Sequence, residues 1–536
     1  MSGKKSETIA QGEMLRLVDV AARFSVSVAT VRNWIHTGCI EATGKGWVAK
    51  ESVDRFEAQE VGSKRLVVRA NKLQKGHLEA KTDFSLDNRP TAQMVGDYEL
   101  SLSESYRNRE GVFYTPENIA ADMLSDLSDV ENKTFLEPCC GCGSFVMAAI
   151  AKGFRPDNIY AYDVDETAVA ITRRRVYEAT GYWSDHIFCS DFLDYSLQTD
   201  RQFDCIYTNP PWGKKLTQSE KVRYAEAFSA TSGTDTSAFF FLAGLRLLHE
   251  GGRMGLLLPE AFFNIARFEP VRRIALTHTI DCLVDYGRVF KTLITNAQAM
   301  MLTKMSPRHD HEIVCKMGER EHERRQIGFD GLPKHIINFR VDENAAAVVN
   351  RFFSFPHVTL KGNARWAMGV VTGDNARHCR KSPAKGFEPV FRGRDIGPQG
   401  FARPSLYIRS DLSGCQQAAP LTYYRAKEKL VYRFISNRLV FYCDRGGNYI
   451  LNSANLLVLK DDFPISGRQL ADLLNSDSMN WLYRTVFHTH KVLKGDLESL
   501  PVPVGYFERF HDFDEKTFLR FMGIEKIGSN YRISEE

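Results

Sequence analysis

The chain has 536 residues, 43% of them apolar and 25% charged, with a formal net charge of +4. That length exceeds one hydrophobic core and suits roughly three or four domains of an ordinary globular protein. No apolar run is long enough to cross a bilayer, and the opening segment Met1–Met14 has charges with no apolar stretch behind them, which argues against a membrane partner and a secretory signal. Eleven cysteines are scattered apart from Cys139, Cys140 and Cys142. That cluster lacks a second Cys or His pair at zinc-like spacing, so the expectation is reduced thiols in a cytoplasmic protein that needs no metal.

Residues 1–60 read as a small helical domain. Leu17–Phe24 and Ser27–His36 carry helical patterns on either side of the turn Ser25-Val26, and the second helix holds Thr30, Arg32, Asn33 and Trp34. Gly38 ends it, and Gly44–Val48 predicts a small wing. The pattern resembles the winged helix-turn-helix domains of MerR and excisionase type, which implies DNA contact with Arg32 as a candidate; a dimerisation module or a degenerate fold remnant are the alternatives. Residues 61–100, with Gly62, Gly76 and few apolar repeats, read as a linker.

From 101 to 310, short apolar strands alternate with helical patterns, which predicts an α/β sheet. Strands are expected at Phe135–Leu136, Ile159–Tyr162, Ile187–Cys189, Phe203–Tyr207 and Met254–Leu258, with helices over 163–180 and 236–249. In open sheets of this kind the ligand lies beyond the carboxyl ends of the strands. Those ends are where the unusual residues fall.

The first cluster runs Glu137-Pro138-Cys139-Cys140-Gly141-Cys142-Gly143-Ser144, after a strand and before the helix Val146–Ala151. Gly141 and Gly143 let the backbone turn tightly and approach a ligand, but the three-glycine dinucleotide fingerprint is absent. An acid at the strand end, Glu137, suits a ligand with an amine or other cation, and S-adenosylmethionine has both an amine and a sulfonium. Asp163 ends the second strand 26 residues later, where an acid can take ribose hydroxyls. Asp191-Phe192 ends the third, where the carboxylate can accept from an adenine amino group and Phe192 can pack on the ring. Each acid has an alternative as a helix cap. Upstream, Tyr114-Thr115-Pro116 precedes the helix Glu117–Leu127; Thr115 can cap it with Pro116 at its first position, or the loop can close over the methionine end of the cofactor.

The chemistry falls on Asn209-Pro210-Pro211-Trp212, after the fourth strand. An exocyclic amine of adenine is a poor nucleophile because its lone pair is delocalised into the ring. The Asn209 side-chain oxygen and the Pro210 carbonyl can each accept one N–H, which draws the nitrogen towards a tetrahedral form, and the two prolines keep the backbone stiff. Trp212 offers a face on which an extruded base can stack. Downstream, Phe290 in Arg288-Val289-Phe290-Lys291 is the candidate for the opposite face, with core packing as its alternative.

In this order the motifs resemble the gamma group of amino-methyltransferases of bacterial restriction–modification systems, the group of the TaqI methyltransferase. The resemblance spans about residues 101–505. It implies a Rossmann-like S-adenosylmethionine-dependent methyltransferase sheet in 101–310, a connecting segment over 311–354, an α+β target-recognition domain in 355–510 and a tail over 511–536. It implies that Thr115, Glu137, Asp163, Asp191 and Phe192 bind cofactor, and that Asn209, Pro210, Trp212 and Phe290 handle an adenine flipped from double-stranded DNA. A separate cognate restriction endonuclease is then a possible partner. Trp212 departs from the more usual Tyr or Phe, and the cysteines of the glycine turn are unusual, although those positions are expected to expose mainly backbone.

Met368–Asn375 opens the C-terminal part, Phe391-Arg392-Gly393-Arg394-Asp395-Ile396 follows, and Leu473–Ser476, Lys491–Leu497 and Leu500–Pro503 close it. Residues 361–460 hold 17 Lys and Arg against 6 Asp and Glu, with aromatic residues interleaved, as suits a phosphate backbone; a face balanced by acidic neighbours is the alternative. Cytosine-C5 chemistry is excluded because Cys139 lies in the cofactor turn. Cytosine N4, ribosomal RNA or a release-factor glutamine are rival acceptors, and a DNA-binding regulator without catalysis is the rival of another class.

Overall fold

The computed structural model describes residues 14–24, 28–36, 40, 42–44, 46–60, 90–102, 104–231, 234–290, 293, 295–487 and 491–534. The chain divides into two compact units, Met1–Asp83 and Phe84–Glu536. In the first, strand Met14–Arg16 leads into helices Leu17–Arg23 and Val28–His36, then strands Ala42–Gly44 and Trp47–Ala49 and helix Lys50–Glu60. Trp47–Ala49 is the central strand of the three. Trp34 is core, its ring 4.8 Å from Phe56 and 5.3 Å from Phe24, while Arg32 is exposed on the same helix. The expected turn at Ser25-Val26 and Gly38 lie outside the described residues.

The second unit is built on a nine-stranded sheet: β1 (Phe135–Glu137), β2 (Ile159–Asp163), β3 (Ile187–Cys189), β4 (Phe203–Thr208), β5 (Leu248–Pro259), β6 (Thr279–Gly287), β7 (Ala297–Thr303), β8 (Glu312–Met317) and β9 (Arg320–Arg325). Their order is β9-β8-β6-β7-β5-β4-β1-β2-β3. Strands β1 to β5 pair parallel, as crossover helices demand, and β7 runs antiparallel between β5 and β6. β1 is buried on both faces, which accounts for its unbroken apolar run Phe135-Leu136. The helices that position the site are α1 (Thr91–Ser101), α2 (Glu117–Met123), α3 (Ser144–Lys152), α4 (Glu166–Thr180) and α5 (Thr236–Leu247). Asp165 caps α4 through the Thr167 and Ala168 amides.

Three segments differ from the sequence reading. Residues 91–101, expected within the linker, form α1 because both ends of the helix find polar partners on the sheet side: Tyr98 donates to Asp165 at 2.6 Å and the Thr91 hydroxyl to Glu178 at 2.6 Å. The connecting segment 311–354 instead supplies β8 and β9 to the main sheet. The tail 511–536 is a packed helix, Glu515–Met522, followed by a hairpin, Ile524–Ile527 with Asn530–Ile533. Its Phe518, Met522 and Tyr531 belong to the same core as Leu136 of β1.

The C-terminal part holds two four-stranded sheets. Ala364–Met368, Ala454–Leu459, Lys429–Arg433 and Phe441–Asp444 form one; Cys379–Arg380, Tyr407–Arg409, Phe387–Phe391 and Tyr449–Ile450 form the other. Lys429 and Asp444 make a fully buried ion pair, and Asp444 also accepts from the Gly446 and Asn448 amides. Arg392, Arg409, Arg425 and Arg445 are likewise matched to acids, so part of the basic excess of this region is balanced locally.

Candidate active site

A cavity of about 1030 Å³, open mouth included, lies at the carboxyl ends of the parallel strands. Tyr114, Thr115, Gly141, Asp163, Asp191, Phe192, Asn209 and Pro211 all line it. These residues come from five separate chain segments, which the sheet topology brings to one edge.

The glycine turn is tied to its neighbouring strand end. Asp163 accepts the Gly141 amide at 2.8 Å on one oxygen and the Asp165 amide at 2.9 Å on the other. Gly141 has φ +48°, and a Cβ there would lie 2.9 Å from the Tyr114 ring, so only glycine lets that ring close on the turn. Burial raises the Asp163 carboxyl above its ordinary range, against the two amides that lower it. Asp191 does cap a helix, through the Leu193 and Asp194 amides, and still lines the cavity. Phe192 is buried and its ring is 5.5 Å from that of Phe240, a residue the sequence reading passed over within the apolar run of α5.

Glu137 is 1% exposed, and its Oε2 has no hydrogen-bond partner. Burial pushes this carboxyl well above the usual range. A buried carboxyl either stays neutral or pairs with a donor; Oε1 accepts the Cys139 amide at 3.4 Å, Oε2 is the atom left over, and Glu137 itself is not among the residues lining the cavity. Gly143, at φ +87°, caps α3 rather than lining the cavity.

Thr115 is buried and its carbonyl accepts from the Ser144 hydroxyl at 2.8 Å. It does not cap α2: Pro116 holds the cap position, with no side-chain bond, because the helix starts one residue later than the sequence suggests.

Segment 110–113 is stitched to the loop 209–214 at three points. Asn209 Nδ2 donates to the Phe113 carbonyl at 2.7 Å, the Trp212 amide donates to the Gly111 carbonyl at 3.2 Å, and Lys214 pairs with Glu110 at 3.8 Å. The first bond fixes the Asn209 amide so that Oδ1, buried and without a partner, is the free acceptor. From below, the Cys139 thiol donates to the Asn209 carbonyl at 3.1 Å. The cysteine side chain thus braces the loop, where backbone exposure alone was expected. Burial holds the Cys139 and Cys140 thiols well above their ordinary range and Cys142 at about 12, so all three stay protonated at neutral pH.

Pro210 is buried within the loop and is not among the residues lining the cavity. Trp212 and Phe290 depart from expectation. Neither lines the cavity; they are 7% and 8% exposed and meet edge-to-face at 5.2 Å, with Phe113 against both. The Trp212 indole donates to the Leu257 carbonyl at 3.2 Å. Two parallel ring faces with space between them for a base are not present in this arrangement, because the apolar rings have filled that space with one another. Lys291 lies outside the described residues. Glu110 and Lys214 are two further lining residues that sequence reasoning missed; as lone charges they carry no pattern. Among the described residues, no group of three His, Cys, Asp or Glu side chains is placed to hold a metal ion, and no helix is long and apolar enough to cross a membrane.

Residues 92–328 match the family described as N-6 DNA Methylase, and residues 388–502 match the TaqI-like C-terminal specificity domain. The chain is 42% identical over 396 residues to the Type II methyltransferase M.VspI of Vibrio sp. (strain 343), covering 72% of this chain and 97% of that one. It is 22% identical over 179 residues to a release factor glutamine methyltransferase of Clostridium botulinum (strain Hall), covering 32% of this chain and 63% of that one. Among solved structures, the Type IIL restriction-modification enzyme MmeI in complex with DNA shares the fold at a TM-score of 0.51 and 11% identity, over 77% of this chain and 70% of that one.

Proposed function

Since the chain belongs to the TaqI-like methyltransferases of restriction–modification systems, we propose that it transfers a methyl group from S-adenosylmethionine to N6 of an adenine flipped out of double-stranded DNA. The single observation that carries the choice of acceptor is Asn209, whose Oδ1 is buried, unbonded and held in place by the Phe113 carbonyl. Asn209 lines the cavity, and a buried acceptor left without a partner there is matched to one N–H of an amine.

The residues present fit the cofactor. Glu137 Oε2 is an orphaned buried acceptor near the glycine turn, suited to hold an ammonium group, and the Gly141 turn, on which the Tyr114 ring closes, lines the cavity beside it. In this reading Asp163 takes the ribose, Asp191 and Phe192 the purine, and Tyr114, Thr115 and Pro116 the amino-acid end. S-adenosylmethionine, when bound, supplies an electrophilic methyl group on its sulfonium.

The chain's own part is acceptance and positioning. Asn209 Oδ1 and the Pro210 carbonyl accept the two N–H bonds of the amine, which turns its lone pair out of conjugation. The two prolines and the Cys139 thiol hold that pair of acceptors still. The base enters by displacing Phe290 and Trp212 from one another, after which their faces are free to stack on it. The proton leaves to solvent after transfer, so no strong base is needed. The exposed Arg32 helix of the first unit fits an added DNA contact of winged helix-turn-helix kind. A cognate endonuclease would be a separate chain.

The test is transfer of labelled methyl groups to unmethylated duplex DNA. Label in DNA with wild-type protein, and none with Asn209→Ala, is the expected result; label on a release factor or ribosomal RNA and none on DNA would overturn the reading.

A further inference from the structure

Within the C-terminal part, strands Ile396–Gly397 and Gly400–Phe401 form a narrow hairpin with Pro398-Gln399 as its two-residue tip. Gln399 is exposed, with a glycine one residue to one side and a proline followed by a glycine to the other, so no bulky neighbour covers its amide. Arg394 at the hairpin base is 72% exposed and meets Asp395 at 4.0 Å. Arg403, just past the second strand, is also exposed.

The hairpin is held stiffly from below. Phe401 stacks on Phe391 at 4.0 Å and 18°, and meets Tyr442 edge-on at 5.2 Å. Arg433 donates to the Ile396 carbonyl at 2.9 Å, the Ala402 amide donates to the Asp395 carbonyl at 2.8 Å, and Arg392 closes an ion pair with Asp395. The Phe434 carbonyl accepts the Val492 amide at 2.8 Å, and the Phe487 carbonyl accepts from Asn264, just beyond the carboxyl end of β5.

A two-stranded ribbon fits the major groove of B-form DNA, and a glutamine amide there pairs with adenine, accepting from N6 and donating to N7. We propose that the 396–401 hairpin enters the major groove and that Gln399 reads one A·T pair of the recognition sequence, while Arg394 and Arg403 take flanking phosphates. The proposal rests on duplex DNA being the substrate, as argued above.

The experiment is selection of bound duplexes from a randomised library by the full-length protein, followed by competition binding on the selected site. Wild type should yield a defined sequence. Gln399→Ala should lose its preference for A at one position and keep every other, with a loss of roughly 5- to 150-fold on the original site, the range of one bidentate contact. Arg394→Ala should keep the whole sequence, bind more weakly everywhere and lower the slope of log affinity against log salt by about 1. A Gln399→Ala protein that selects the wild-type sequence at full preference would overturn the proposal. Selection does not depend on methyl transfer, so failure to methylate the selected duplex would count against the catalytic reading alone.

Discussion

The side-chain amide of Asn209 is bonded through its nitrogen to the carbonyl of Phe113, 96 residues earlier, at 2.7 Å. That bond decides which end of the amide is left for a substrate. It also makes the cavity wall and the acceptor one mechanical unit, since Gly111 and Glu110 of the same segment hold Trp212 and Lys214.

Asn209→Ala removes the acceptor and should lower methyl transfer by at least about 100-fold, the scale of one lost preorganised hydrogen bond at a reacting centre. DNA affinity should stay within a few-fold, as read by gel shift. Asn209→Asp keeps an acceptor but loses the donor to Phe113, and should fall between the two.

Gly111 sits at φ +70°, and a Cβ there would lie 2.6 Å from the Trp212 carbonyl oxygen. Gly111→Ala should therefore cost about 1–3 kcal/mol of stability from backbone strain, with more if the clash moves the loop. Urea unfolding measures the first effect, and methyl transfer falling further than stability reveals the second.

Burial raises the Glu137 carboxyl well above its ordinary value of 4.5. The folded protein then keeps a proton that the unfolded chain releases. The stability linked to that proton is whole below the ordinary glutamate range and is lost as pH rises through the raised value. Without cofactor, the melting temperature of Glu137→Gln relative to wild type should rise with pH over the range above 4.5. Asp163 shifts the same way and stays in the variant, so part of the wild-type slope persists. A difference between the two proteins that is flat with pH would contradict the assignment, and affinity for S-adenosylmethionine should fall in the variant.

Trp212 is held by its indole bond to Leu257 and by two aromatic neighbours. Trp212→Ala should cost about 3–5 kcal/mol in folding, the scale of a large core truncation. Trp212→Phe should keep most of that stability and most of the activity. A Trp212→Ala protein as stable as wild type would mean that the ring is not part of the core.

Much of this site was legible because strand ends are legible. Glu137, Asp163, Asp191 and Asn209 follow apolar runs of strand length, and a parallel sheet places such ends at one edge whatever the helices do. Tertiary partners were not legible. The Phe113 carbonyl that orients Asn209, and the pair of Glu110 and Lys214, join residues about a hundred positions apart with no periodicity between them. Trp212 and Phe290 read as stacking faces by position alone, while the structure shows them satisfying one another. The helix at 91–101 was hidden because its anchors, Asp165 and Glu178, belong to a different element. The last 26 residues look polar in sequence, yet Phe518, Leu519 and Met522 fall on one face of their helix and are core.

The central claim is that adenine N6 receives the methyl group. Unmethylated genomic DNA treated with the protein and S-adenosylmethionine, then digested to nucleosides and resolved by mass spectrometry, tests it directly. N6-methyldeoxyadenosine as the product is the predicted result. N4-methyldeoxycytidine in its place, or unmodified nucleosides from protein that binds both DNA and cofactor, would contradict it.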